Sequence, residues 1–252
     1  MKVEILNKEE CKELFKYWGL AAAKCYDTPK KFAERVGKSC LESGHFSGSR
    51  GRYIIFDISE VPRALVDQLV RHESGVFKNV ESGRYVNFSD FGYYIPPVLY
   101  KNSAALNVYI KHMESTQKNY NDIVSLLKED NIVGEKAYEA ARGIMPMNYN
   151  TGLVIGFTVE ALINLMHKRL CVCAQDHIMK LAFEMRRQIL EVLPELKPHL
   201  VAVCDAYGYC PESPKRSCNK YPQKDVLDTL ILEYKKNKDL KNEIDRKVAK
   251  ND

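Results

Sequence analysis

The sequence predicts a mixed α/β (α+β) fold in which helices pack around a small central sheet. Apolar residues recur at helical intervals through most of the chain, while residues 1–6, 52–58 and 152–158 are strand-like. With 252 residues and 45% hydrophobic content, the chain can bury the core of one large domain or two small ones.

The elements follow in order. Residues 1–6 read as a short strand, and Asn7 to Glu10 as the start of a helix. Residues 8–23 and 29–42 carry helical patterns, the second opened by Thr28 as cap and Pro29 in its first turn. The aromatic and β-branched run 52–58 is a strand. Pro62 then opens a helix expected to deliver Gln68, Arg71 and His72, with Gln68 and Arg71 three positions apart on one face. A long, mostly polar helix with one apolar face fills 102–128. The strand-like segment 152–158 runs into a helix carrying Asn164 and Arg169, and a further helix spans 174–193. Beyond Tyr221 the composition turns to Lys, Asp, Asn and Glu, so the chain divides into a domain over 1–220 and a charged C-terminal helix or tail over 221–252. There is no internal repeat.

Composition narrows the function. A formal net charge of +5, with many of its lysines in the last thirty positions, fits an anionic small ligand better than a nucleic-acid groove. No apolar run approaches the roughly twenty residues that span a bilayer, and the N-terminus has no signal-peptide core, so no membrane is expected and the cytoplasm is the expected compartment. The eight cysteines contain no CxxC pair and are expected to be reduced, most of them as buried small hydrophobes. Cys204, Cys210 and Cys218 are the candidates for a metal, but zinc ordinarily takes four ligands at tighter spacing, and no metal is expected.

The most concentrated chemistry lies between Gln68 and Tyr85, where an amide, two guanidiniums, an imidazole and a hydroxyl fall within eighteen positions. A guanidinium offers a rigid fork that meets phosphate with two bonds, so Arg71 and Arg84 around Ser82 fit a nucleotide-sized anion. A solvated basic turn is the plainer alternative. Arg142 and Arg169 stand in otherwise apolar sequence, where a charge requires a ligand or an acidic partner. No GxGxxG after a strand, Walker loop, HExxH or nucleophile elbow is present. The pattern points to a nucleotide monophosphate beside a second anionic cofactor, with one Arg left to stabilise charge developing on a base.

These residues resemble the flavin-dependent thymidylate synthases. The family signature, an RHR triplet followed by Ser-x-Arg-Tyr, stands here as Arg71-His72-Glu73 and Ser82-Gly83-Arg84-Tyr85. Gly44-His45-Phe46-Ser47 resembles the GHxS turn, Val61-Pro62-Arg63-Ala64 the helix leading into the signature, and Tyr94-Ile95-Pro96-Pro97 the loop after it. Ala141-Arg142 to Asn148, and Asn164 with Arg169-Leu170-Cys171 and Ala174-Gln175, resemble two downstream motifs, so the likeness covers roughly 20–220. It implies a homotetramer with active sites built between subunits. It also implies reductive methylation of dUMP to dTMP with FAD, NADPH and methylenetetrahydrofolate. By the same resemblance, Gln68, Arg71, Glu81, Ser82, Gly83, Arg84 and Arg142 hold dUMP, and Arg169 is catalytic, contacting the pyrimidine and favouring its ionisation at N3. Ser47, Arg71, His72, Glu73 and Asn164 then face FAD.

The chain also departs from the pattern. Glu73 replaces the last Arg of the triplet, Arg50-Gly51 replaces an acidic-His pair, and Thr158 and Glu160 replace an Asn and an Arg that commonly meet FAD. Arg50 is expected to make good the charge lost at position 73. Cys171 and Cys173, next to Arg169, leave open a cysteine-nucleophile route. A flavin-dependent methylase of another uridine nucleotide such as UMP, and a non-catalytic nucleotide-binding homologue, remain as alternatives. His112, His167, His177 and His199 are read as structural.

Overall fold

The computed structural model describes residues 1–25 and 27–248, with side chains through residue 241 apart from that of residue 26. It holds a four-stranded, wholly antiparallel sheet in the order β1 (Lys2–Ile5), β2 (Ile54–Pro62), β4 (Asn150–Phe157), β3 (Val76–Val80). Alternation decides which face is buried. Ile54, Phe56 and Ile58 of β2 pair with Phe157, Ile155 and Leu153 of β4, and all six are almost fully buried in the core. Between them, Asp57 and Val154 turn to the opposite, polar face. A bulge between Ile58 and Val61, with Glu60 at φ +56°, re-aims the end of β2 so that Val61 and Pro62 are both buried at the start of the next helix.

Helices cover the apolar face. The expected helix at 8–23 is two, α1 (Lys8–Lys12) and α2 (Leu14–Cys25), because the chain tightens at Glu13, whose N–H bonds to the Glu10 carbonyl at 3.2 Å. The second expected helix begins later than its Thr28 cap implied. A 3-10 turn over Lys30–Phe32 leads into α3 (Ala33–Glu42), which crosses α2 with backbone against backbone. A Cβ on Gly19 would lie 1.6 Å from the Ala33 carbonyl oxygen, so no larger residue permits that approach. α4 (Arg63–Leu69), α7 (Val159–Arg169) and α8 (Asp176–Val192) complete the main core through Leu65, Leu162, Leu181 and Met185.

A smaller core forms where α5 (Ser103–Glu129) and α6 (Glu135–Ala141) meet the segment 88–93. Tyr120 is fully buried, and its hydroxyl accepts from the Phe88 N–H at 3.2 Å. The Asn102 side chain caps α5, which starts one residue later than expected, accepting from the Ala105 N–H at 3.0 Å. After α9 (Val203–Tyr207), α10 (Lys224–Val248) is a solvent-facing helix over its described side chains. Residues 249–252 of the expected tail lie outside the described residues. No described helix is long and apolar enough to cross a membrane.

Candidate active site

α4 ends at Leu69, one turn earlier than the sequence implies, so Gln68 is helical but Arg71 and His72 lie in the turn beyond. The chain must reverse there to start β3 at Val76. It does so through Gly75 at φ +70°, whose carbonyl accepts from the Thr158 N–H at 2.9 Å. The result is a meeting of two distant segments. α7 buries Leu162, Leu165 and Met166 and presents Arg169 at its C-terminal end, where a cation is favoured by the helix dipole. Arg169 Nε donates to His72 Nε2 at 3.2 Å.

That bond requires His72 to be neutral with Nε2 free to accept. Burial, then the charges of Arg169, Lys168 and Lys78, lower the His72 pKa to about 4, in agreement with the geometry. Arg169 is itself half-buried, and burial and the Arg71 charge pull its pKa down. Among the described residues, neither Arg71 nor Arg169 has a carboxylate within ion-pair distance. The acidic partner allowed for Arg169 is therefore absent in this region. Two neighbouring cations without a counter-charge form a site for an anion. Alongside them, Gln68 Nε2 donates to Gln175 Oε1, tying the end of α4 to the start of α8.

Ser82, Gly83, Arg84 and Arg142 form a second group. Gly83 lies against Arg142, where an added Cβ would meet the Arg142 side chain at 3.4 Å. Arg84 already pairs with Glu135, and with Glu139 at 3.3 Å, while Arg142 stands 4.0 Å from Glu139. Arg142 is exposed rather than set in apolar surroundings. Glu81 turns elsewhere, accepting from the Thr151 hydroxyl at 3.1 Å and the Gly152 N–H at 2.9 Å. It lines a cavity of about 700 Å³ whose Asp57, Glu60 and Asp90 make it unsuited to a phosphate. Among the described residues, no hydrogen bond or ion pair joins this second group to the first.

On the side expected to meet a flavin, Ser47 is exposed on a 3-10 turn, Phe46–Gly51. The turn is held by Trp18, whose indole N–H donates to the His45 carbonyl at 3.2 Å. Asn164 is exposed on α7 and shares a cavity of about 470 Å³ with Arg169, while Glu73 is exposed past Arg71. Thr158 is a buried N-cap that accepts from the Ala161 N–H at 3.3 Å, and its side chain is committed to the helix. Arg50 does not compensate for Glu73. Its Nε and Nη2 reach Glu160 in the first turn of α7, at 2.9 and 3.3 Å. The two charges that depart from the family pattern at positions 50 and 160 therefore neutralise each other.

Only three of the eight thiols, Cys11, Cys40 and Cys210, are buried, so the expectation for most of them fails. Of the proposed metal candidates, Cys204 is half-buried and Cys218 exposed, and the three form no cluster among the described residues. Cys171 and Cys173 instead gather with Glu212, ligand atoms within 4.8 Å of one another. A Cys-x-Cys pair followed forty positions later by a glutamate is no familiar ligand spacing, and the sequence carried no other signal for this grouping. Burial pushes the Cys171 thiol up despite Arg169 nearby, which weakens its case as a nucleophile.

The family model described as thymidylate synthase complementing protein matches residues 10–195. A flavin-dependent thymidylate synthase of Nitratidesulfovibrio vulgaris is 39% identical over 184 residues, covering 73% of this chain and 75% of that protein. A protein of the same name from Clostridium tetani is 33% identical over 198 residues, 74% and 78% of the two chains. A probable flavin-dependent thymidylate synthase of Mycobacterium phage D29 is 28% identical over 204 residues, 78% and 86% of the two. With the signature residues around Arg71, Ser82 and Arg169 in place, the chain belongs to the thymidylate synthase complementing protein family, that of the flavin-dependent thymidylate synthases.

Proposed function

We propose that this chain converts dUMP to dTMP in the cytoplasm, with FAD bound and with NADPH and methylenetetrahydrofolate as co-substrates. The observation that carries the reading is the pair Arg71 and Arg169, neighbouring cations without carboxylate partners among the described residues, with Arg169 bonded to a neutral His72. Gln68, Arg71, Ser82, Gly83, Arg84 and Arg142 hold the nucleotide, while Glu81, next to Ser82 in the chain, anchors the loop through Thr151 and Gly152. Ser47, Arg71, His72, Glu73 and Asn164 hold the flavin.

Within one chain the two arginine groups stand apart, and Arg84 is occupied by glutamates. This supports an active site completed between subunits of a homotetramer, where the first group of one chain faces the second group of another. Arg71 and Arg84 grip phosphate through paired N–H bonds. Arg169, half-buried and fixed by His72, stabilises negative charge on the pyrimidine as N3 ionises, which raises the nucleophilicity of C5. Because His72 is neutral, it adds no third positive charge to oppose the Arg pair. When bound, the flavin carries hydride from NADPH so that the transferred methylene ends as a methyl group, while the C5 hydrogen of the substrate leaves as a proton.

Tritium release from C5-labelled dUMP tests the reading, with UMP in a parallel tube and FAD, NADPH and methylenetetrahydrofolate supplied. Folate-dependent release from dUMP is expected. Release from UMP alone would reassign the substrate, and silence in both tubes with no retained flavin would show an inactive homologue.

A further inference from the structure

The loop between α7 and α8 follows Arg169 directly and precedes Gln175, the partner of Gln68. Cys171 and Cys173 sit on it, both half-buried, and the segment after α9 brings Glu212 against them from forty residues away. We propose that Cys171, Cys173 and Glu212 bind a thiophilic divalent cation, zinc by its chemistry, which fastens the 209–216 segment onto the loop behind Arg169.

Three potential ligand atoms stand within 4.8 Å of one another. A tetrahedral zinc with sulfur bonds of about 2.3 Å needs its ligand atoms roughly 3.8 Å apart, so binding draws the three side chains closer together. Two thiolates select a soft or borderline metal over magnesium or calcium, and a carboxylate with a water completes four-coordination. The surroundings suit the charge. Two thiolates and a carboxylate leave one net negative charge around a divalent ion, and Lys168, Arg169 and Arg216 line the same cavity.

The present partners of these ligands are ones a metal displaces at little cost. Cys173 Sγ donates its proton to the Arg216 carbonyl at 3.0 Å, and that proton leaves when the metal binds. Glu212 is held by Arg216 at 3.4 Å, a long contact that leaves the carboxylate free to turn. The sequence contains no other Cys-x-Cys pair, so the arrangement is not a by-product of a cysteine-rich composition.

The test is the metal content of the full chain after loading with zinc and removal of weakly held ions by a chelating resin, with cobalt as a spectroscopic substitute. One zinc per chain is expected, and cobalt should show a thiolate charge-transfer band. Cys171→Ser and Cys173→Ser should each lose both signals, Glu212→Gln should retain the band but release metal at lower chelator concentration, and Cys25→Ser should match the parent. No retained zinc in the parent, or equal loss in Cys25→Ser, would overturn the proposal. These readouts need neither flavin nor turnover, so they stand or fall separately from the tritium assay.

Discussion

Arg71 and Arg169 on one side, and Arg84 and Arg142 on the other, use the same side chain in opposite electrostatic states. Among the described residues the first pair has no carboxylate partner, and Arg169 bonds a neutral histidine, whereas Arg84 already satisfies two glutamates. Folding has left the first pair uncompensated, a cost that a bound anion relieves. The second pair is in balance, and a ligand must compete with Glu135 and Glu139 to use it. A guanidinium motif in a sequence does not by itself mark an open anion site. What matters is whether the fold brings a carboxylate to it.

The largest effect should come from the uncompensated pair. Arg169→Ala removes a fixed cation from a partly dry site, and the loss of one such electrostatic contact lowers kcat by about 10²–10³-fold. Arg169→Lys should recover only part of this, because an ammonium lacks the fork and the bond to His72. Single-turnover dTMP formation reads both variants, and an Arg169→Ala rate near the parent's would remove Arg169 from the chemistry. Next comes Arg71→Ala. A charge-assisted hydrogen bond contributes about 1.5–3 kcal/mol, so the KM for dUMP should rise roughly 10- to 100-fold with a smaller change in kcat. A pure kcat loss would mean that Arg71 serves the reacting ring rather than the phosphate.

The balanced pair predicts a smaller change with the opposite sign. Glu135→Gln with Glu139→Gln frees Arg84, and dUMP should bind a few-fold tighter at low salt, the gain fading as salt screens it. Calorimetric titration of dUMP checks this. Weaker binding in the double variant would show that the glutamates position Arg84 rather than compete for it.

The contrast between the two groups also explains what could be read in the sequence. The strands 52–58 and 152–158 were legible because alternation and β-branching are local, and the long helix over 102–128 was legible because its apolar face repeats locally, although its Asn102 cap was not read. The end of α4 was not, because it is set by the distant pairing of β3 with β4 through Gly75. The strand β3 itself hid in a stretch whose side chains, Lys78 and Asn79 among them, carry no clear alternation. The candidate site residues could be named as a set, through the resemblance around Arg71 and Ser82, and the fold sorts them into two groups. Which of them lack a counter-charge depended on Glu135, Glu139 and His72, chosen by tertiary contact. The Arg50–Glu160 pair and the Cys171–Glu212 approach join residues 110 and 41 positions apart, and no periodicity reports such contacts.

Acid should expose the histidine within the first group. The folded-state pKa of His72 is about 4 against an ordinary 6.5, so the folded chain takes up this proton less readily than the unfolded one. Its contribution to stability is therefore complete above about 6.5 and declines as the pH falls towards about 4, where the Arg169 bond is lost. Burial lowers His167, His177 and His199 as well, so the parent will lose stability in this range for several reasons. The decisive quantity is the difference from His72→Gln, which keeps an acceptor but cannot titrate. Urea unfolding across that window should show a shallower decline in the variant, and parallel curves would mean that His72 is no drier than water.

The smallest expected effect concerns the charges that depart from the family pattern. Arg50 is largely exposed and Glu160 partly so, and solvent screens such a pair, so it contributes little to stability. Arg50→Glu alone sets two carboxylates against each other at the start of α7, and Glu160→Arg alone sets two guanidiniums there. Each should loosen the turn that carries Ser47 from the helix that carries Asn164, and each should shed flavin a few-fold faster than the parent during gel filtration. Reversing both restores attraction across the same 2.9 Å contact, so the double variant should retain flavin like the parent. Recovery in the double variant would show that the pair matters for its attraction and not for which residue carries which sign. Failure to recover would mean that one of the two charges also faces the cofactor.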